Sequence, residues 1–173
     1  MGEEISKDLA IWNDVCLRTP GCEILDSTNT IPTLRSVKSQ IEIAVIQEAV
    51  DMTASGFARA MRFVTPGVNE YKVQATLEHE YAMAGGRGSA FPPIVGGGLN
   101  STVLHYKEND QDLVEGDLVC IDSGAFHSGY GADISRTIPV SGKFTKRQKE
   151  IYEIVLRAEE ASIRAVKPGV TLS

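Results

Sequence analysis

The segment from residue 116 to 140 constrains the fold most, because it predicts two β-strands joined by a tight turn: GDLVCIDSGAFHSGYGADISRTIPV. A turn centred between His127 and Ser128 places Asp122 directly opposite Asp133. Residues that face each other across an antiparallel pair have Cβ atoms about 5 Å apart and project to the same face. The segment therefore predicts two carboxylates that converge on one face of a sheet.

Such a pair of carboxylates repels unless a shared proton or a bound cation offsets the charge. A hard divalent metal does this best, and two metals roughly 3.5–4 Å apart would lower the pKa of a bound water and polarise a carbonyl for amide hydrolysis. The other interpretation is that each aspartate caps a turn, as aspartate commonly does in loops. The spacing of Asp122 and Asp133 alone leaves both interpretations open.

The three histidines carry weaker signals. His105 lies between two predicted strands in the run LHY, where a surface, a core and a functional role all remain open. His79 has no second histidine four residues later, so it does not complete the HExxH pattern of zinc peptidases and is interpreted as structural. His127 lies at the predicted turn and is expected to be exposed to solvent.

Capping signals mark the starts of three helices around the predicted sheet. Ser39 and Glu42 form a capping box at the first helix. Thr145 and Gln148 form another at the last helix, and Asn69 is the N-cap of the helix between them. Together with the β-rich runs, these signals predict an α+β or a layered α/β fold, with helices over residues 39–64, 69–84 and 145–166.

Turn signals dominate the start of the chain, where TPG and STNTIP occur without clear periodicity. We expect a linker or the end of a preceding domain at residues 1–35 and one domain at residues 36–173. FVTPGVNE at residues 63–70 resembles AVKPGVTLS at residues 165–173, and each copy ends one helix and caps another. The second copy stops at Ser173, where an N-cap belongs, so a further helix is expected beyond it.

Composition narrows the class of partner and the compartment. The formal net charge of -6 argues against a nucleic-acid partner, because phosphate binding needs a basic stripe. No run approaches the roughly 18 apolar residues of a membrane span, and the acidic start MGEEISKDLA differs from a signal peptide, so the cytoplasm is expected. Cys16, Cys22 and Cys120 form no CxxC motif and are expected to be free thiols.

Two long stretches carry a family resemblance: IVGGGLNSTVLHYKEND at residues 94–110 and GDLVCIDSGAFHSGYGADISRTIPVSGKFTKRQKEIYEIV at residues 116–155. Together they resemble the peptidase family of aminopeptidase P, prolidase and methionine aminopeptidase, which has the pita-bread fold. The LHY run and the pattern D-x-G followed by GY-x-x-D are most similar to the Xaa-Pro aminopeptidase branch. The resemblance runs from about residue 34 to 173 and implies the first half of a pita-bread catalytic domain. The implied fold is α+β, with a curved antiparallel sheet covered on one face by the three predicted helices.

This resemblance also assigns roles to individual residues. It makes Asp122 the first metal ligand and Asp133 the bridging ligand. His105 matches the histidine that contacts substrate and helps to handle the proton near the scissile bond. Phe91 stands where some relatives have tyrosine and is a further candidate for substrate binding, whereas Ser135 replaces the usual threonine and keeps its hydroxyl. The implied cofactor is two Mn²⁺ ions, with Co²⁺ or Zn²⁺ as alternatives, and the remaining ligands in the family are a later histidine and two glutamates.

The implied reaction is hydrolysis of an N-terminal residue that precedes proline in a peptide. An Xaa-Pro dipeptidase is one alternative, and a non-catalytic pita-bread protein that binds peptides is another. Retention of both Asp122 and Asp133 argues against the non-catalytic alternative. With only part of the metal site present, the chain alone is expected to be inactive. The surface left by a missing half is expected to favour a homo-oligomer.

Overall fold

The chain forms two compact units, Met1–Ser39 and Gln40–Ser173. The structure is a computed structural model that describes residues 7–21 and 26–171. The first unit contributes two helices and the second unit contains the sheet, so every candidate site residue lies in the second unit.

The first unit contains helix α1 (Lys7–Arg18) and helix α2 (Thr30–Ser36). The sequence predicts turns and loops over residues 1–35, and both α1 and α2 differ from that expectation. Asp14 and Arg18 form an ion pair of 3.0 Å one turn apart on α1. Such pairs stabilise a helix without contributing to the apolar periodicity by which a buried helix is recognised.

Two of the predicted free thiols can be placed. Cys16 and Cys120 are both free in the structure. Cys22, for which the same state is predicted, lies outside the described residues, as does Ser173, the predicted N-cap of a following helix.

The second unit contains the three helices that the capping signals predict. The Asn69 side chain accepts a hydrogen bond from the Tyr71 backbone N–H, as an N-cap does. Thr145 and Gln148 form a complete capping box, with each side chain accepting from the other residue's backbone N–H. No helix in the described part of the chain is both long and apolar enough to cross a membrane. The helices are α3 (Gln40–Phe63), α4 (Glu70–Met83) and α5 (Lys146–Ala165).

The sheet is antiparallel throughout, which confirms the predicted α+β class. Its three strands are ordered β1-β2-β5, so β2 is central and β5 lies at an edge. A short hairpin, β3 with β4, forms the tip between β2 and β5, and a 3₁₀ helix follows β1 at Gly98–Thr102. The strands are β1 (Ile94–Gly97), β2 (Leu118–Ser123), β3 (Phe126–His127), β4 (Tyr130–Gly131) and β5 (Ile134–Pro139).

Alternation along β2 separates the core from the candidate site. Val119, Ile121 and Ser123 are buried, and the first two pack in the core with α3 and α4. Because successive side chains of a strand point to opposite faces, Cys120 and Asp122 project from the other face of the sheet. The core consists of Phe57, Ala60, Val64, Val73, Leu77, Tyr81, Val95, Leu113, Val119, Ile121, Ala125 and Val140.

The register corrects one prediction about the two aspartates. Asp122 pairs with Ser135, so the predicted direct opposition of Asp122 and Asp133 is wrong. The turn is centred between Ser128 and Gly129, which have φ of 48° and 87°. Positive φ at both central residues is the geometry of a two-residue hairpin turn, whose twist matches that of its strands. Moving the turn centre by one residue shifts the residue opposite each strand position by two. Because side chains alternate between faces with a period of two, Asp122 and Asp133 still share a face.

The hairpin tip is attached to α3 by two polar contacts. The Tyr130 hydroxyl donates a hydrogen bond to the Glu42 carboxylate. His127 Nε2 lies 2.9 Å from Glu48 Oε2, and its side chain is only 21% exposed, which differs from the expected solvent exposure. These contacts attach to α3 the hairpin that lies between the two candidate ligands Asp122 and Asp133.

Candidate metal centre

A cavity of about 250 Å³ lies on the face of the sheet opposite the core helices α3 and α4. Cys120 and Asp122 line it from β2, and Ser135 lines it from the neighbouring strand β5. His105, in the loop that follows the 3₁₀ helix, lines its other side. The structure therefore brings His105 and Asp122, which are predicted site residues, to one cavity.

Asp122 is the most unusual titratable group of this cavity. Burial raises the pKa of Asp122 above its usual value, because the charged form loses water, and the nearby Asp133 carboxylate acts in the same direction. A hydrogen bond from Ser135 and the position of His105 partly oppose that rise in the Asp122 pKa. Asp122 Oδ1 is nonetheless buried without a hydrogen-bond partner in the described residues. A bound cation would supply the missing interaction and offset the repulsion.

The position of Asp133 beside Asp122 depends on Gly124. Asp133 precedes β5 by one residue and is exposed, on the same face as Ser135. A Cβ atom added at Gly124 would lie 1.7 Å from the Ala132 carbonyl oxygen and 3.0 Å from the Asp133 backbone nitrogen. The close approach of these two chain segments, which only glycine permits, brings the Asp133 carboxylate next to that of Asp122. In the sequence, the only sign of this role is the D-x-G spacing.

Thr53 on α3 and Tyr81 on α4 form hydrogen bonds with residues at or just beyond the end of β2. Thr53 Oγ1 accepts a hydrogen bond of 2.9 Å from the Ala125 backbone N–H. The Tyr81 hydroxyl lies 3.0 Å from Ser123 Oγ and shares a hydrogen bond with it, while burial raises the pKa of Tyr81. Sequence reasoning assigned no role to these residues, because their partners lie 42 and 72 residues away along the chain.

His105 lies in an irregular loop that the sequence does not define. Its φ of 57° is in the left-handed region, where residues other than glycine are uncommon. Its side chain is exposed at the mouth of the cavity, within electrostatic reach of Asp122. Phe91, by contrast, is half-buried in the segment before β1 and is not among the residues that line this cavity.

Asp122 and Asp133 fit part of a metal site. Their carboxylate oxygens are suitable ligands for a hard divalent cation. Asp122 Oδ1 has no hydrogen-bond partner in the described residues, so binding a cation would break no hydrogen bond of that oxygen. Among residues 7–21 and 26–171, however, no group of three or more His, Cys, Asp or Glu side chains is arranged to hold a metal ion. The described residues thus offer two candidate carboxylate ligands, fewer than the three or more protein ligands of most metal sites.

Several relatives of this chain are named as Xaa-Pro peptidases. The Xaa-Pro aminopeptidase of Escherichia coli is 42% identical over 154 residues, covering 89% of this chain and 35% of the relative. An Xaa-Pro dipeptidase of Pyrococcus horikoshii is 38% identical over 143 residues, covering 83% of this chain and 40% of the relative. The chain therefore spans little more than a third of the length of these relatives.

Solved structures show the same fold. Zinc-substituted E. coli aminopeptidase P, in complex with product, superposes with a TM-score of 0.82 at 43% identity, covering 84% of this chain and 33% of that one. The likeness confirms the predicted pita-bread fold, present here in part. The model of metallopeptidase family M24 matches residues 44–173, which include both aspartates and His105. This chain belongs to metallopeptidase family M24.

Proposed function

We propose that this chain supplies the first half of the catalytic domain of an Xaa-Pro aminopeptidase. In this proposal residues 36–173 belong to the catalytic domain and residues 1–35 are a linker or the end of a preceding domain. The observation that carries it is the convergence of Asp122 and Asp133 beside a cavity that His105 also lines. The identity of 42% to the E. coli Xaa-Pro aminopeptidase supports the same substrate class, a peptide with proline at its second position.

Family M24 membership implies a divalent metal cofactor, and we propose two Mn²⁺ ions, with Co²⁺ or Zn²⁺ as alternatives. Asp122 and Asp133 would hold the metals from this half, and a later histidine and two glutamates would complete the centre. When bound, the metals supply an activated water and polarise the scissile carbonyl. Ser135 would help to orient the site, since it lies directly opposite Asp122 on the neighbouring strand and its hydroxyl is placed to donate to that carboxylate.

His105 is proposed to contact the substrate next to the scissile bond. It lies at the mouth of the cavity, so its imidazole can meet a peptide that enters towards Asp122. Replacing His105 with alanine in the full-length protein is expected to lower kcat/KM by roughly 10²-fold, the usual contribution of a positioned proton-transfer group. Bound metal, measured by elemental analysis, is expected to stay unchanged, because His105 is no ligand. Loss of metal together with activity would contradict this role.

The dipeptidase is the rival activity, favoured by the 38% identity to the P. horikoshii Xaa-Pro dipeptidase. The two activities differ in whether the residue after proline is required. Purified full-length protein with Mn²⁺ is expected to cleave Xaa-Pro-Yaa peptides much faster than Xaa-Pro dipeptides. The reverse preference would establish the dipeptidase, and a protein that binds no metal would overturn both.

The isolated 173-residue chain is expected to show no peptidase activity above background, because two ligands from one half do not hold two metals tightly. We also propose a cytoplasmic location, which the free thiols Cys16 and Cys120 support, since structural disulfides are typical of oxidising compartments.

The surface formed by α5 and the edge strand β5 is proposed to bind a second copy of the isolated chain. A gap of about 640 Å³ separates them, lined by apolar side chains that include Ile151 and Val155. Val155 is 61% exposed, and α5 has no buried residue. The similar segments at residues 63–70 and 165–173 indicate that the following half resembles this one, so a second copy can occupy its place.

Light scattering is expected to show a dimer of the isolated chain that Val155→Glu converts to a monomer. Arg157→Glu changes the charge on the opposite side of α5 and is expected to leave the dimer intact. A monomer at every concentration of the unmodified chain would rule out this surface as an interface between copies.

A further inference from the structure

Glu70 is a fully buried carboxylate in the first turn of α4. Each of its two carboxylate oxygens accepts two hydrogen bonds. Oε1 accepts from the Gly97 backbone N–H at 2.8 Å and from Asn100 Nδ2 at 3.2 Å. Oε2 accepts from the Tyr106 hydroxyl at 2.8 Å and from the Gln111 backbone N–H at 3.1 Å. One side chain thus joins α4 to four points along the segment from residue 97 to 111.

Four hydrogen-bond donors offset the free-energy cost of burying the Glu70 carboxylate. An unpaired buried charge would be strongly destabilising, whereas donors at every lone pair and the positive end of a helix offset the loss of water. The arrangement is specific, because a hydrophobic residue at position 70 would remove the acceptor of all four bonds and leave the Gly97 and Gln111 backbone N–H groups without their partner. Glu70 therefore determines the path of the segment rather than merely filling space.

The segment that Glu70 holds carries His105. Tyr106, the next residue, is 7% exposed, and its side chain reaches inward to Glu70 while His105 is exposed at the cavity. Burial raises the pKa of Tyr106 to about 12, so its hydroxyl remains a donor. The φ of 57° at His105 is a conformation that an untethered loop rarely adopts.

A second buried side chain fixes the far end of the same segment. Asn109 Oδ1 accepts a hydrogen bond of 2.9 Å from the Val95 backbone N–H. Its Nδ2 donates to Gln74 Oε1 and to the Pro93 carbonyl, each at 2.8 Å. Asn109 thereby attaches the segment to β1 and α4, but Glu70 is the residue that contacts the side chain adjacent to His105.

We infer that Glu70 is a positioning residue, which holds His105 at the mouth of the cavity through the Tyr106 hydroxyl and the backbone of the flanking loop. The effect on catalysis rests on the proposed function, whereas the effect on the loop does not. The two are therefore tested by separate measurements.

The first measurement is amide hydrogen exchange of the 173-residue chain. Glu70→Gln replaces one acceptor oxygen with an NH₂ donor, and exchange over residues 98–111 is expected to become at least ten-fold faster. Tyr106→Phe removes the hydroxyl that donates to Glu70 and accepts from Asn100, while Glu70 keeps its other three donors, and is expected to give a smaller acceleration in the same segment. The control is Glu80→Gln, the same substitution on the same helix, where the carboxylate faces Arg59.

The chain's three histidines allow a direct readout at His105 by NMR. In Glu70→Gln and Tyr106→Phe, the His105 ring signals are expected to move towards those of an unstructured histidine, while His127 signals stay in place. If both variants match Glu80→Gln in exchange and in the His105 signals, the inference is wrong. Tyr106→Phe keeps the test valid even if Glu70→Gln unfolds the chain.

The second measurement is a double-mutant cycle on the full-length enzyme. Glu70→Gln is expected to lower kcat about ten-fold with unchanged metal content and a small change in KM. In a His105→Ala background the same substitution is expected to have no further effect, because the positioned group is gone. Additive losses would overturn the catalytic role. Absence of peptidase activity in the unmodified protein would refute the proposed function, with the exchange result still deciding the position of the loop.

Discussion

Replacing Asp122 with asparagine is expected to abolish the activity of the full-length protein and to stabilise the metal-free fold. The amide lacks the negative charge that is proposed to hold the metal, so we expect kcat/KM to fall by at least about 10³-fold, or roughly 4 kcal/mol of transition-state stabilisation. In the metal-free chain the same change removes repulsion from Asp133 and the cost of burying a charge. A gain of about 1 kcal/mol, or roughly 2–4 °C in Tm, is expected.

Activity on Xaa-Pro-Yaa peptides, bound metal and a thermal melt in EDTA measure these effects. Asp51→Asn is the matched control, since Asp51 is exposed on α3 and accepts one hydrogen bond from Gln47. It is expected to change neither activity nor Tm. Full metal binding by Asp122→Asn would show that this aspartate is no ligand. A lower Tm in EDTA would show instead that the Asp122 carboxylate stabilises the metal-free fold.

Replacing Gly124 with alanine is expected to destabilise the chain strongly. The added Cβ would lie 1.7 Å from the Ala132 carbonyl oxygen, so β2 and the strand entering β5 must separate. Overpacking against backbone, which has little room to move, is expected to cost about 3 kcal/mol. For a chain of this size that cost lowers Tm by roughly 6–12 °C. The separation also moves Asp133 away from Asp122, so Mn²⁺ affinity of the full-length protein is expected to fall.

Gly129→Ala is the control for this prediction. It distinguishes the cost of a steric clash from the cost of a side chain at positive φ. Gly129 lies in the same hairpin with φ of 87°, but a Cβ there would meet nothing within 4 Å. Only the cost of a left-handed residue applies, about 1–2 kcal/mol. Urea unfolding of both variants is the measurement. Equal losses of stability would contradict the close contact at Gly124.

The chemistry of the site was recognisable from the order of residues, but its geometry was not. The spacing of Asp122 and Asp133 predicted that they share a face, and they do, because strand alternation is a local property. Their direct opposition was wrong because the turn centre depends on φ at Ser128 and Gly129. No rule of apolar periodicity distinguishes a turn at residues 127–128 from one at 128–129.

Residues that hold the site in place were recognisable only in three dimensions. Glu70 follows an N-cap, so in the sequence it resembles any acidic residue in the first turn of a helix. Its role depends on donors 27 to 41 residues away. Gly124 likewise resembles an ordinary glycine until the Ala132 carbonyl is seen to pack against it.

The sequence by itself determined most of the secondary-structure elements and identified the candidate ligands of this protein. Capping residues, strand alternation and the two aspartates are readable because each depends on neighbours within a few positions. The tertiary structure alone decided which carboxylate is buried without a partner, how the loop that carries His105 is held, and which faces of α5 and β5 stay exposed. Those properties depend on which distant residues meet, and the free energy of such contacts has no local signature in the chain.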